Sequence, residues 1–207
     1  MLKGARPEDR INSIKDAELK DDDIIICAYP KCGSHWLWEV IMMLNSGTLQ
    51  HQKDVKETRM MEFLFKRNRS SAISACLQHA PPSAHAPKQV VEKKIKCIQI
   101  MRNPKDTCVS YFNHNRDRTP PYNYEGDFVE LTEAFLTEKL PFGSYSTYLQ
   151  SWKAEVAAAL GTLSGHVKDV ARFFGLASTD KFCEEVADAC SFKKMKKVDQ
   201  EMKMNFP

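Results

Sequence analysis

The sequence predicts an α/β sandwich with a parallel sheet flanked by helices, and three observations carry that reading. Ile24-Ile25-Ile26-Cys27-Ala28 is continuously apolar, as expected for a parallel strand covered on both faces. A second β-rich run follows at Ile95-Lys96-Cys97-Ile98-Gln99-Ile100-Met101. Each run passes at once into a turn and then a helix, the repeating unit of such sandwiches. Two strands are too few to complete the sheet, so the sheet as predicted is incomplete.

The elements follow in chain order. After the first strand, Trp36, Val40 and Met43/Leu44 recur at helical spacing, and Asn45-Ser46-Gly47 ends the helix. After the second, Asn103-Pro104 supplies a cap and a first-turn proline that gives up no needed hydrogen bond, and Asp106 suits the helix's positive end. Further helices are predicted over 127–140 (Phe128, Leu131, Phe135), 145–160 (Tyr148, Trp152, Val156), 166–174 and 179–189. Ala80–Pro87 and His114–Gly126 are predicted loops. Residues 1–20 form a charged segment without the apolar core of a secretory signal, and 21–207 are expected to make one domain.

Composition narrows the function classes. A net charge of +3 is too mild to argue for nucleic acid or an anionic membrane, and apolar runs such as Ile24–Ala28 are far too short to span a bilayer. The cluster Lys193, Lys194, Lys196 and Lys197 is expected to be a solvated helix face. Seven cysteines include no Cys-x-x-Cys pair; Cys27, Cys97 and Cys108 sit in apolar contexts that predict buried thiols. The expectation is a reducing cytoplasmic setting and no metal site.

In parallel sheets ligands bind beyond the carboxyl ends of the strands, and both turns lie there. In "YPKCGSHW", Gly33 allows a tight turn in which successive N–H groups face one concavity. Ser34, His35 and Trp36 open the helix, whose N-terminal dipole favours an anion, and Lys31 adds a full positive charge. The lysine precedes the glycine by two residues, so this is an analogue of the nucleotide phosphate loop and not that motif. In "MRNPKDTCVSYF", Arg102 ends the strand with a planar fork suited to phosphate, and Ser110 follows two helical turns on. Two anion sites at neighbouring strand ends point to a ligand with two separated anionic groups. A plain turn with a surface lysine, and a plain helix cap, remain the alternatives for each piece alone.

These segments resemble the cytosolic sulfotransferase family. "YPKCGSHW" is similar to its Tyr-Pro-Lys-Ser-Gly-Thr-x-Trp loop, "RNPKDTCVSYF" to its Arg-Asn-x-Lys-Asp-x-x-Val-Ser-Tyr segment, and "SFKKMKK" from Ser191 to its Ser-Phe-Lys-x-Met-Lys. The resemblance implies a three-layer α/β/α fold with a P-loop-like sheet, and 3′-phosphoadenosine 5′-phosphosulfate (PAPS) as co-substrate. It implies that Lys31, Cys32, Gly33, Ser34, His35 and Trp36 wrap the 5′-phosphosulfate, that Arg102 and Ser110 hold the 3′-phosphate, and that Phe192 stacks on the adenine. Trp36 would flank the adenine too, and Cys190 stands where the family often has threonine.

Sulfuryl transfer is largely positioning and charge stabilisation, so Lys31 is expected to neutralise charge on the departing phosphate. A small acceptor with a hydroxyl or amine needs a base near neutrality, which suits histidine. Counting back from Arg102, the family's base falls on His79, with His85 as rival. Leu77 replaces the family lysine two residues earlier, and Phe63 and Phe65 are candidates for either the acceptor pocket or the core. Between Trp152 and His166 the family has another strand ending in Tyr-Glu-Asp; this chain lacks that pattern near 157–165. It also lacks the family's later Arg-Lys-Gly segment and its C-terminal dimer motif. Two readings from other classes stay open: a non-catalytic remnant that binds nucleotide weakly, and a nucleotide kinase, which would need a magnesium-holding acid where only the poorly suited Asp106 stands.

Overall fold

The computed structural model describes residues 14–16, 18–21, 23–51, 75–77, 87–117, 123–140, 142–158 and 166–197. The chain divides into two compact units, Met1–Ser34 with Glu57–Leu160 and His35–Lys56 with Gly161–Pro207.

Among the described residues the first unit holds a parallel sheet of three strands: β1 (Ile24–Ala28), β2 (Ala75–Leu77) and β3 (Lys96–Ile100), in the order β2-β1-β3. The central position of β1 explains its composition, since all five of its residues are buried. Its register sets Ile26 opposite both Cys76 and Ile98, and Ala28 opposite Ile100. The sequence predicted two strands, and β2 is the third. Three residues with a cysteine at the centre give too little periodicity to announce a strand.

The three longer helices of this unit start where the side chains of Asn103, Asp127 and Ser144 accept from N–H groups of their first turns. The helix α2 (Gln89–Glu92) is a single turn ahead of β3. In α3 (Pro104–Arg116), Asn103 accepts from the Lys105 N–H at 2.9 Å and Pro104 takes the first position, as predicted. The predicted loop from His114 therefore starts three residues late. Asn115 donates to the Tyr111 carbonyl at 2.8 Å and Arg116 lies 5.3 Å over the Phe112 ring, which keeps the last turn helical. The next helix, α4 (Phe128–Leu136), opens with a capping box between Asp127 and Glu130 and ends a turn before the predicted Leu140, where Glu138 takes a positive φ. Finally, α5 (Tyr145–Ala158) packs against α4. Ile25, Cys27, Ala28 and Tyr29 form the core with Cys108, Tyr111, Leu131, Phe135, Tyr145, Tyr148 and Trp152. Cys97 departs from its predicted burial and is half-buried, on a strand whose other residues are exposed or half-buried as well.

The second unit contains α1 (Ser34–Ser46) from His35 onward, α6 (Val167–Phe174), α7 (Asp180–Ala189) and α8 (192–197). The buried row of α1 is Leu37, Trp38, Val40, Ile41, Met43 and Leu44, and Trp36 is only half-buried. Glu39 is buried in the same row, its carboxylate 3.0 Å from His51 Nδ1. His166 and Thr179 occupy the cap positions of α6 and α7, and Gly175 ends α6 in the left-handed conformation open to glycine. Val167, Val170, Ala171 and Phe174 of α6 and Cys183 and Val186 of α7 line the interior of this pair. Cys190 is fully buried, its thiol 3.7 Å from the Met43 sulfur.

Among the described residues no helix is long and apolar enough to cross a membrane, and no cluster of His, Cys, Asp and Glu could hold a metal ion.

Candidate active site

Two bends sit at the carboxyl ends of adjacent strands in one unit. The first leaves β1 through Tyr29, which is fully buried and packs its ring among Tyr111, Phe135, Tyr145 and Tyr148. The Tyr29 hydroxyl donates to the Gly143 carbonyl at 2.8 Å. The Cys32 N–H returns to the Tyr29 carbonyl at 3.1 Å, closing a tight turn. Lys31 adopts φ 70° and Gly33 φ 111°, so the turn is built from left-handed backbone on either side of Cys32. A Cβ at Gly33 would meet only the Ile100 methyl at 3.9 Å, an ordinary contact. Glycine is therefore required by the backbone angle and not by crowding. Ser34, buried, then starts α1.

The second bend leaves β3 at Ile100. Arg102 is exposed, yet its Nη1 donates to the Lys31 carbonyl at 3.0 Å, so the two bends touch. Cys32 Sγ and Thr107 Oγ1 lie 3.7 Å apart across the same gap, and Thr107 is anchored by donating to the Asn103 carbonyl at 3.0 Å. Tyr145, at the start of α5, places its hydroxyl on the Arg102 main chain. It accepts from the Arg102 N–H at 3.0 Å and donates to the Arg102 carbonyl at 2.7 Å. Burial pushes the Cys32 thiol up, against hydrogen bonds from Tyr145 and Thr107, and burial also pushes the Tyr145 hydroxyl up to about 12. Both groups stay neutral near pH 7, so an anion at the bends meets two cationic side chains and no competing negative charge from these neighbours.

Of the residues predicted from sequence, Lys31, Cys32, Gly33, Ser34 and Arg102 gather at these two bends, and Ser110 lies half-buried on α3. His35 and Trp36 form the first turn of α1 in the second unit. Phe192, also in the second unit, opens α8 with 81% of its surface exposed. His79 and His85 lie outside the described residues, as do Phe63 and Phe65; Leu77 ends β2 opposite Cys27. Sequence reasoning missed Tyr145 and Thr107. Their hydroxyls sit on faces otherwise read as core, and only a buried position for a polar group could have marked them.

Residues 21–160 match the sulfotransferase domain. Sulfotransferase 6B1 of Danio rerio is 26% identical over 220 residues, covering 97% of this chain and 72% of its own. Sulfotransferase 1B1 of Canis lupus familiaris is 28% identical, covering 89% and 69%. Mouse sulfotransferase SULT7A1, solved in complex with PAP, superimposes with a TM-score of 0.66 at 26% identity, covering 91% and 70%. A retinol dehydratase bound to androsterone and PAP gives 0.71 at 15% identity over 91% and 70%, a likeness of fold alone. With its domain match spanning most of the chain and both bends inside it, the protein belongs to the sulfotransferase family.

Proposed function

We propose that this chain, as one sulfotransferase-like domain over 21–207, moves a sulfuryl group from PAPS to a hydroxyl or amine of a small acceptor. The observation that carries the proposal is the contact between the bends, with Arg102 Nη1 3.0 Å from the Lys31 carbonyl at the ends of neighbouring parallel strands. A nucleotide with a charged group at each end of its ribose suits two cations held side by side in this way. The neutral Cys32 thiol and the N–H groups of the left-handed turn suit the same anion.

PAPS supplies the activated sulfuryl group. Lys31 holds the 5′ end and stabilises charge on the departing phosphate, with Cys32, Gly33 and Ser34 around it. Arg102 and Ser110 hold the 3′-phosphate. His35, Trp36 and Phe192 keep the roles that their motifs imply. His79, two residues beyond the end of β2 in the chain, takes the acceptor's proton, with His85 as the alternative. No metal enters this scheme. A cytoplasmic setting fits the free thiols of Cys27, Cys32, Cys97, Cys108, Cys183 and Cys190.

The test is a thermal titration of the full chain with adenosine 3′,5′-bisphosphate against ATP–Mg²⁺, followed by labelled-sulfate transfer to phenols, sterols and amines. The bisphosphate at a hundredfold excess over its Kd adds about 2.7 kcal/mol of stability and raises the midpoint by roughly 5–10 °C. Transfer is abolished in Lys31→Ala and falls at least a hundredfold in His79→Ala. Stabilisation by ATP–Mg²⁺ alone would transfer the case to a kinase. Nucleotide binding without transfer to any acceptor would leave a binding protein.

A further inference from the structure

The Tyr145 hydroxyl has more to do than a core tyrosine requires. Its ring is already held by Tyr29 at 5.1 Å, Phe135 at 5.9 Å and Tyr148 at 6.3 Å, and only 2% of the residue is exposed. A phenylalanine would make the same ring contacts. The hydroxyl instead bonds both polar groups of the Arg102 main chain and lies against the Cys32 thiol of the opposite bend. One oxygen thus touches both bends, from the helix whose Tyr148 also packs on the Tyr29 ring.

That placement has a mechanical consequence. Arg102 is the first turn residue after β3 but one, and its own side chain is exposed. Its backbone is clamped by Tyr145, Asn103 caps the helix that follows, and Thr107 ties Asn103 to Cys32. With the N–H and carbonyl both fixed, the direction in which the guanidinium leaves the turn is fixed too. We propose that Tyr145 is a positioning residue: its hydroxyl braces the two bends against each other and sets where Arg102 presents its guanidinium to the 3′-phosphate. This rests on the role proposed above for Arg102.

The experiment compares wild type, Tyr145→Phe, Arg102→Ala and the double variant by calorimetric titration. The two ligands are adenosine 3′,5′-bisphosphate and adenosine 5′-monophosphate, which lacks the 3′-phosphate. Amide hydrogen exchange of the ligand-free proteins is followed at Arg102. Tyr145→Phe is expected to weaken the bisphosphate about five- to tenfold and the monophosphate less than twofold, the loss of the hydroxyl's two bonds to the Arg102 main chain being felt only through Arg102. In the Arg102→Ala background the same substitution changes neither ligand. The Arg102 amide exchanges at least tenfold faster in Tyr145→Phe than in wild type. Equal weakening of both ligands, multiplied losses in the double variant, or unchanged exchange at Arg102 overturns the brace while wild type still prefers the bisphosphate. A wild type that binds both nucleotides equally overturns the assignment of Arg102 to the 3′-phosphate, and this role for Tyr145 with it.

Discussion

Removing His51 should cost this protein several degrees of thermal stability, through Glu39. The Glu39 carboxylate is buried on α1 with 3% of its side chain exposed, and His51 Nδ1 lies 3.0 Å from its Oε2. Breaking a fully buried charged pair costs about 3–5 kcal/mol, because the remaining charge is left without a partner. The His51 side chain is 25% exposed, however, so His51→Ala admits water to the carboxylate. The cost then drops toward that of one charge-assisted hydrogen bond, about 2 kcal/mol. For a chain of this size that lowers the melting midpoint by roughly 4–8 °C. Glu39→Gln keeps a hydrogen-bond partner for the imidazole and removes the carboxylate, for a loss of about 1 kcal/mol. In the Glu39→Gln background, His51→Ala should cost at least about 1 kcal/mol less than in wild type, the coupling expected of direct neighbours. Circular dichroism melts of the four proteins at neutral pH measure this. A His51→Ala variant within about 0.5 kcal/mol of wild type, or strict additivity in the double variant, refutes the pairing as a source of stability.

Other substitutions test the bends and caps. Gly33→Ala should lower stability by about 1–3 kcal/mol in urea unfolding through backbone strain alone, because the added methyl meets only an ordinary contact at Ile100. The same variant should bind adenosine 3′,5′-bisphosphate more weakly. Asp127→Ala removes the acceptor 2.8 Å from the Glu130 N–H and should cost about 1 kcal/mol in the same assay. Alkaline titration should expose the buried thiol of Cys190, raised from 9.0 to about 12 by burial and by Glu39. Above pH 9 the unfolded chain loses this proton while the folded chain keeps it, so stability falls as pH rises toward 12. Cys190→Ala should flatten that decline, measured as the midpoint against pH.

Much of this architecture was legible because local chemistry and tertiary role agree. The run Ile24–Ala28 is apolar because it is central in the sheet, and Asn103-Pro104 reads as a helix start because it is one. Asp127, His166 and Thr179 similarly stand where sequence patterns place helix starts. The failures came where long-range contacts decide. Ala75–Leu77 is a strand through pairing with Ile25–Cys27, not through its own composition. The extra helical turn to Arg116 depends on side-chain bonds to Tyr111 and Phe112. At the site, the cations and the glycine announced themselves by type, whereas Tyr145 and Thr107 matter through a position the sequence does not disclose.

The order β2-β1-β3 has a consequence for biosynthesis. Among the described strands β1, which ends in the Lys31 turn, is made first, yet both of its hydrogen-bonded neighbours are encoded later. Its partner β3 follows about seventy residues on, which at ordinary elongation rates means a wait of roughly 4–14 s. Through that interval Ile24–Ala28 is an apolar segment with unpaired edges, the kind of nascent stretch that chaperones shield. The sheet from which the two bends leave thus closes only when a piece made early meets partners made later.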